Sequence, residues 1–113
     1  MRNFRELQVW NKARELAKEV YLICNKLPDS EKYSLQSQLS RAAISIPSNI
    51  AEGCAKSSNK DIKRFLEISL GSAYVWETQL ILAKNIYNLD GEPTVNMLQE
   101  EQKMITSLIK KLI

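Results

Sequence analysis

The chain has 113 residues, a formal net charge of +3 and no histidine. Its length suffices for one hydrophobic core, and its apolar content of 44% is typical of a folded globular protein. The absence of histidine excludes the usual imidazole acid–base catalyst, the Ser-His and Cys-His nucleophile pairs and the Glu-x-x-His ligands of di-iron bundles.

The first predicted helix runs from about Arg5 to Lys26. Its apolar residues recur at alternating spacings of three and four, the pattern of a buried bundle face, and they are Leu7, Trp10, Ala13, Ala17, Val20, Cys24 and Leu27. A second apolar row, Val9, Leu16 and Ile23, repeats every seven residues. Together the two rows cover more of the helix than a monomeric bundle needs to bury.

The second predicted helix contains the most distinctive stretch of the chain, Ser34 to Gly53, and follows a turn in which Asp29 or Ser30 serves as N-cap. Apolar residues again recur every three or four positions, at Leu35, Leu39, Ala43, Ile46 and Ile50. Pro47 removes a backbone donor in mid-span. Because the apolar spacing continues in phase beyond the proline, one kinked helix is favoured over two helices broken at Ile46.

The third predicted helix is the longest and runs from about Asn59 to Asn88, with Ser58 and Asp61 resembling a capping box. Its buried face is predicted at Ile62, Phe65, Leu66, Ser69, Ala73, Trp76, Leu80, Ala83 and Tyr87, beside a second row at Ile68, Val75, Leu82 and Leu89. Gly71 is costly in mid-helix and indicates close approach of another backbone. A fourth helix opens at Pro93 and buries Leu98, Ile105, Leu108 and Leu112.

Four helices with short connections predict an all-α, antiparallel, up-down-up-down four-helix bundle, organised as a single domain over residues 1–113. The second apolar rows leave two alternatives, an unusually thick bundle or contacts between copies of the chain. The candidate residues for such contacts are Val9, Leu16, Ile23, Ile68, Val75 and Leu82. Their spacing by sevens favours helix packing between subunits, and hence a homo-oligomer.

The stretch S-L-x-x-Q-L-x-R-A-A-x-S-I-P-S-N-I-A-E-G resembles the signature of the 23S rRNA intervening-sequence proteins, a family of four-helix bundles. The resemblance extends to Phe4-x-x-Leu7-x-Val9-Trp10 near the start and to Phe65-Leu66 and Gly71-Ser72 downstream. It implies a bacterial protein that assembles as a ring of five and has no established catalytic activity. Because relatives are encoded within rRNA genes, it also implies an accessory role linked to nucleic acid.

A polar stripe lies on the second helix and consists of Arg41, Ser45, Ser48, Asn49 and Glu52. Structurally, its hydroxyls and amides can bond across the bundle and satisfy a carbonyl freed by Pro47, while Glu52 pairs with Arg41 or with a neighbouring subunit. Functionally, an arginine flanked by hydroxyls can bind a phosphate or a partner's backbone. The structural interpretation is preferred, and both hold if the stripe lines a subunit interface.

The excess of positive charge lies in the first 28 residues, which hold six basic and three acidic side chains. The candidates for contacts with nucleic acid are Arg2, Arg5, Lys12, Arg14 and Lys18, joined by Lys56, Lys60, Lys63 and Arg64. Such residues neutralise phosphates and give affinity without sequence preference. A solvated helix face explains the same charges without a ligand. Trp10, Trp76 and most tyrosines fall on apolar rows and are interpreted as core residues.

Several further classes of site are excluded by composition. Two isolated cysteines, Cys24 and Cys54, cannot form a structural zinc site and are interpreted as small core residues. The three glycines form neither a P-loop nor a dinucleotide fingerprint, so no cofactor, metal or small-molecule substrate is expected. No apolar stretch is long enough to span a membrane and the N-terminus lacks a signal-peptide core, so a cytoplasmic protein is expected.

The sequence therefore predicts a non-enzymatic, oligomeric bundle associated with RNA or with a nucleic-acid-processing protein. The alternative is a scaffold that binds a partner protein and makes no contact with nucleic acid. A third hypothesis, a hydrolase that uses carboxylates alone, would depend on Glu52 or Glu77 in a concave pocket.

Overall fold

The computed structural model of the chain describes residues 3–112, which form four long helices. A short 3₁₀ turn, Phe4–Glu6, precedes α1 (Gln8–Cys24), and a second one, Asp29–Glu31, precedes α2 (Leu35–Cys54). The remaining helices are α3 (Asn59–Tyr87) and α4 (Glu92–Lys110). No strand occurs between residues 3 and 112, so the prediction of an all-α protein with four helices is confirmed.

Contacts near the helix ends show how the chain folds back on itself. The Gln36 amide at the start of α2 donates to the carbonyl of Cys24 at the end of α1, at 3.1 Å. Lys84 in the last turn of α3 lies 3.3 Å from Glu92 in the first turn of α4. The four helices form a body of 44 × 23 × 20 Å. No helix within residues 3–112 is long and apolar enough to cross a membrane.

The side of α1 that faces the core agrees only in part with the predicted one, since Leu7, Ala13, Val20 and Leu27 are buried as expected. The buried residues of this helix are Val9, Ala13, Leu16, Val20 and Ile23. The second apolar row of α1 is therefore packed inside the chain. The expectation that this row forms contacts between copies is wrong. Trp10, Ala17 and Cys24 are only half-buried. Because the two rows lie side by side on a helix of 3.6 residues per turn, the core can face the line between them.

The buried face of α3 agrees closely with the prediction. Its buried residues are Ile62, Leu66, Ser69, Ala73, Trp76, Leu80 and Ala83, all of which were expected there. Phe65 and Tyr87, at the two ends of the predicted face, are half-buried. Trp76 is the largest fully buried side chain in the described part of the chain. Of the two apolar rows that its periodicity indicates, α3 thus buries the main one.

The second helix, α2, continues through its proline, which confirms that this segment is one helix. Two side-chain hydrogen bonds lie next to the proline. The Ser48 hydroxyl donates to the carbonyl of Ile44 at 2.8 Å, and the Ser69 hydroxyl of α3 donates to the carbonyl of Ile46 at 2.8 Å. The bond from Ser69 therefore ties α2 to α3 close to the point where the proline interrupts the backbone ladder.

Of the two N-cap predictions, one is confirmed. The Ser58 hydroxyl accepts a bond from the backbone N–H of Asp61 at 3.2 Å, as expected of an N-cap for α3. α2 is capped by Ser34, and the prediction of Asp29 or Ser30 is wrong. The reason is that Asp29 and Ser30 belong to a separate 3₁₀ turn, which ends before α2 begins.

The core contains a carboxyl group that the sequence pattern does not reveal. Glu101 of α4 is fully buried, and neither of its oxygens has a hydrogen-bond partner among the described residues. The buried residues of α1, α2 and α3 include no charged side chain. Burial raises the pKa of Glu101 from 4.5 to about 8, against a smaller opposing attraction from Lys12 of α1. This carboxyl group is therefore mainly protonated at neutral pH.

Glu101 is expected to make the bundle less stable as pH rises. Below about pH 4.5 both states hold the proton, whereas between 4.5 and about 8 only the folded state holds it, so unfolding releases a proton. The free energy of unfolding of the wild type, relative to Glu101→Gln, should fall across this interval and level off above it. Urea unfolding of both proteins at several pH values measures this difference.

Two further variants sharpen this experiment. Glu101→Leu also removes the unpartnered polar atoms, and it should exceed the wild type in stability by about 1–3 kcal/mol at alkaline pH. Glu67→Gln is the matched control, because Glu67 is exposed on α3 and its replacement should leave the pH dependence unchanged. The same pH dependence in the wild type and Glu101→Gln would contradict a protonated carboxyl in the core.

Candidate nucleic-acid interface

One end of the bundle gathers basic side chains from four segments of the chain. The start of α3 meets the end of α4 there, where the Asn59 amide donates to the carbonyl of Leu112 at 3.5 Å. The start of α1 lies against the same end of α4, because Leu7 and Lys111 line one groove. The seven basic residues at this end, called the basic end below, are Arg5, Lys56, Lys60, Lys63, Arg64, Lys110 and Lys111.

Sequence reasoning named five residues of the basic end and missed Lys110 and Lys111. The charges of α4 nearly balance along its length, so the sequence did not predict a basic segment there. Its acidic residues, Glu92, Glu100 and Glu101, all precede its lysines. This order of charges along α4 could have indicated a basic C-terminal end of the helix, because the acidic residues come first and the lysines follow.

Three cations lie in the first two turns of α3, namely Lys60, Lys63 and Arg64. The N-terminus of a helix carries a partial positive charge, so cations are unfavourable there and anions are favoured. Asp61 is the acidic residue of the first turn. The helix dipole therefore strengthens the positive potential that the side chains create at the basic end.

Aromatic rings contact several of these cations. Phe65 lies between Lys56 and Arg64, whose charged groups are each 4.8 Å from the ring centre. The guanidinium of Arg5 lies 4.5 Å from the ring centre of Phe4. Such contacts are worth about 0.5–1 kcal/mol at exposed sites and favour particular side-chain orientations. Ordering of this kind would lower the entropic cost of binding a ligand.

The remaining cations of α1 are engaged with other groups of the chain. Lys12 and Lys18 each form an ion pair with a glutamate. The guanidinium of Arg14 lies 5.4 Å from the ring centre of Trp10. These three candidates lie along α1 and are not part of the basic end, and exposed ion pairs of this kind contribute little stability. Arg2 lies outside the described residues.

The opposite end of the bundle carries acidic residues in its turns. Asp29, Glu31, Asp90 and Glu92 lie there together with Lys26, Lys32 and Lys84. Glu31 accepts hydrogen bonds from the hydroxyls of Ser34 and Tyr87, which lower the pKa of Glu31, that of Ser34 having the larger effect. The hydrogen bond to Glu31 in turn raises the pKa of Tyr87. The bundle therefore has one basic end and one end without excess positive charge.

Some side chains of the polar stripe of α2 form hydrogen bonds within the chain, and others are exposed to solvent. The Ser45 and Ser72 hydroxyls share a hydrogen bond of 2.7 Å, which joins α2 to α3. The Asn49 amide donates to the carbonyl of Ser45 at 2.8 Å. Arg41 is exposed and has no hydrogen bond or ion pair among the described residues. The bond between Ser45 and Ser72 thus joins two helices, the bonds of Ser48 and Asn49 stay within α2, and the arginine faces solvent.

The two carboxylates considered for catalysis have local partners. Glu52 lies 3.9 Å from Lys56, so the expected pairing with Arg41 does not occur within the chain. Glu77 accepts hydrogen bonds from two glutamine amides of α4, at 3.2 and 2.7 Å. Within residues 3–112, no three cysteine, aspartate or glutamate side chains come together as potential metal ligands.

An apolar row on α3 is left uncovered by the core. Its members, Ile68, Val75 and Leu82, are 43%, 51% and 47% exposed. Gly71 lies beside this row, and a Cβ added there would have no atom of the described chain within 4 Å. The close approach predicted at Gly71 is therefore absent inside the chain. It occurs at Gly53, where an added Cβ would lie 3.3 Å from the Cβ of Phe65.

The aromatic residues differ from their prediction as core residues. Trp76 is fully buried, as expected, but Trp10 is only half-buried. Three of the four tyrosines are exposed, Tyr21 by 60%, Tyr33 by 88% and Tyr74 by 55%. Aromatic surface is therefore available to ligands outside the core.

Comparison with known proteins supplies further information. A family model described as "23S rRNA-intervening sequence protein" matches residues 5–111. The fold is similar to that of a crystal structure from Bacteroides thetaiotaomicron, described as a protein with unknown function from the S23 ribosomal protein family. The two share 27% sequence identity with a TM-score of 0.83, covering 90% of this chain and 98% of that chain. No curated protein matches this chain.

Removing cations from the start of α3 should stabilise the folded chain. The double variant Lys60→Gln, Lys63→Gln should gain about 0.3–1 kcal/mol per charge at low salt, because the helix dipole disfavours cations there. Lys84→Gln is the opposite case, since it removes a cation from the last turn and an ion pair with Glu92. Urea unfolding should show both effects shrinking at high salt. A loss of stability in the double variant at low salt would contradict this electrostatic picture.

Proposed function

This chain belongs to the family of 23S rRNA-intervening sequence proteins, and on that premise we propose that it is a non-enzymatic accessory protein that binds nucleic acid in the cytoplasm. The observation that carries the proposal is the basic end, where cations from four segments converge. Such a surface neutralises phosphates and supplies affinity without reading sequence. RNA is the proposed polymer, because the family takes its description from rRNA.

The arrangement of the cations favours an extended anion over a small one. The basic residues are distributed over the ends of several helices, so a small anion reaches few of them, whereas a polyanion contacts many at once. Lys110 and Lys111 lie on the α4 side, and Lys60 and Lys63 on the α3 side. Binding through the phosphate backbone is therefore the proposed mode, in which position is fixed by charge and base identity is not read.

We also propose that the helices run as an antiparallel, up-down-up-down bundle whose copies assemble through the exposed apolar row of α3. Gly71 supports this assembly, because glycine in mid-helix costs about 1 kcal/mol relative to alanine and nothing inside the chain requires it. A second chain packed against α3 would explain both Gly71 and the exposure of Ile68, Val75 and Leu82. The ring of five implied by the family resemblance would multiply the basic ends presented to one polymer.

A scaffold that binds a partner protein, without nucleic acid, is the second candidate function. Tyr21 and Leu22 are 60% and 58% exposed and belong to α1, so they are not part of the apolar row of α3. Exposed apolar side chains of this kind suit a protein partner better than a polyanion. Loss of partner binding on replacement of these two residues, without any binding of RNA by the wild type, would favour the scaffold.

The basic end predicts RNA binding that depends strongly on salt. Fluorescence anisotropy with a labelled RNA over a salt series should show binding that weakens with a log–log slope of about 0.7–0.9 per phosphate contacted. The triple variant Lys60→Gln, Lys63→Gln, Arg64→Gln should bind more weakly and lower the slope by about 2–3.

The matched control is the triple variant Lys26→Gln, Lys32→Gln, Lys84→Gln, which removes three charges from the opposite end. It has the same net charge as the first variant and should keep the wild-type slope. Equal losses in both variants would mean that net charge alone attracts the RNA. No binding by the wild type at low salt would end the RNA proposal and leave the protein scaffold.

The assembly proposal predicts that a charge on the exposed apolar row of α3 separates the copies. Val75→Asp should reduce the molar mass measured by light scattering, because it would bury an unpaired carboxylate between subunits. Ile81→Asp is the matched control on the same helix, since Ile81 is 47% exposed outside this row. The wild type running as a monomer at micromolar concentration would overturn the proposal.

A further inference from the structure

A groove between α3 and α4 combines groups that the basic end lacks. Its volume is about 760 Å³. The lining residues that bear on its chemistry are Tyr74, Glu77 and Ile81 from α3 and Lys103 and Lys110 from α4. Because Lys110 also belongs to the basic end, the two surfaces are continuous. This α3/α4 groove therefore lies where a polymer bound at the basic end can extend along the bundle.

Positive charge in the α3/α4 groove is not neutralised by ion pairs. Lys103 and Lys110 are seven residues apart on α4, which places them on one face about 10 Å apart. Neither forms an ion pair with the rest of residues 3–112, although Lys103 attracts Glu100 at longer range. The carboxylate of Glu77 is held by two neutral glutamine amides, so it does not bind either lysine. Both ammonium groups remain available to anions.

Tyr74 supplies an aromatic surface in the same groove. Its side chain is 55% exposed, although Trp76, two residues further along α3, is completely buried. Ile81 is 47% exposed and extends the apolar side of the groove by two helical turns. An exposed ring beside unpaired cations is the combination that binds single strands, because the ring stacks on a base while the cations hold phosphates.

We propose that the α3/α4 groove binds a single-stranded segment of RNA, with a base stacked on Tyr74 and phosphates held by Lys103 and Lys110. The inference rests on the proposed function and deepens it, since it assigns the form of the strand and the stacking contact. In a duplex the faces of the bases are covered by neighbouring bases, so Tyr74 has no face to contact. The groove therefore selects single strands, whereas the basic end attracts any polyanion.

The test compares a labelled single-stranded RNA with the same RNA annealed to its complement, by anisotropy with the full chain at low salt. Tyr74→Ala should weaken single-strand binding about fivefold to 150-fold, the range for loss of one stacking contact. It should leave duplex binding unchanged. Tyr74→Phe keeps the ring and should bind like the wild type. Tyr33→Ala, which removes an exposed tyrosine at the opposite end, should have no effect.

A second variant tests the phosphate contacts of the groove. Lys103→Gln together with Lys110→Gln should lower the log–log salt slope for the single strand by about 0.7 for each phosphate lost. Wild-type affinity of Tyr74→Ala for the single strand would overturn the groove proposal, as would equal losses for single strand and duplex. Either result leaves the proposed function standing if the basic-end triple variant still loses binding. Absence of all RNA binding by the wild type would overturn both.

Discussion

The packing of α2 against α3 is the contact on which the other features depend. Gly53 permits the close approach, because an added Cβ there would lie 3.3 Å from Phe65. Farther along, the Ser69 hydroxyl of α3 donates to the carbonyl of Ile46, next to the proline of α2. A helix with an interior proline needs such support from its neighbours. The same contact fixes the end of α2 beside the start of α3, and so brings Lys56 close to the cations of α3.

The sequence predicted the buried residues best on the helix in which only one apolar row faces the core. On α3 the main predicted row is the buried one, while Ile68, Val75 and Leu82 of its second row stay exposed. On α1, by contrast, residues of both predicted rows face the core, and periodicity alone does not distinguish this case from that of α3. The packing of α1 against the other helices buries Val9, Leu16 and Ile23 as well as Ala13 and Val20. Glu101 was missed for a related reason, since its residue type is almost never fully buried without a partner and only the fold reveals its position.

The candidate site was predictable in its residue types but not in its shape. Counting charges by segment pointed to the first helix, yet Lys12 there forms an ion pair with Glu100 of α4. The fold meanwhile places Lys110 and Lys111 at the end where α3 begins. No window of sequence detects this convergence, because it joins helix ends that are distant along the chain. Tyr74 lies on neither predicted apolar row of α3, yet its spacing did not reveal the groove beside α4 that it lines.

Three features of this chain are unfavourable for an isolated bundle and would become favourable with the partners proposed above. Cations at the start of α3 oppose the helix dipole, and bound phosphates would reverse that effect. Gly71 weakens the helix without a packing contact inside the chain. The apolar row of α3 that includes Val75 is exposed to solvent in the single chain. Each could be replaced with a gain in stability if the chain acted alone. Because a polyanion would account for the first feature and a protein surface for the other two, neither kind of proposed partner would by itself explain the sequence.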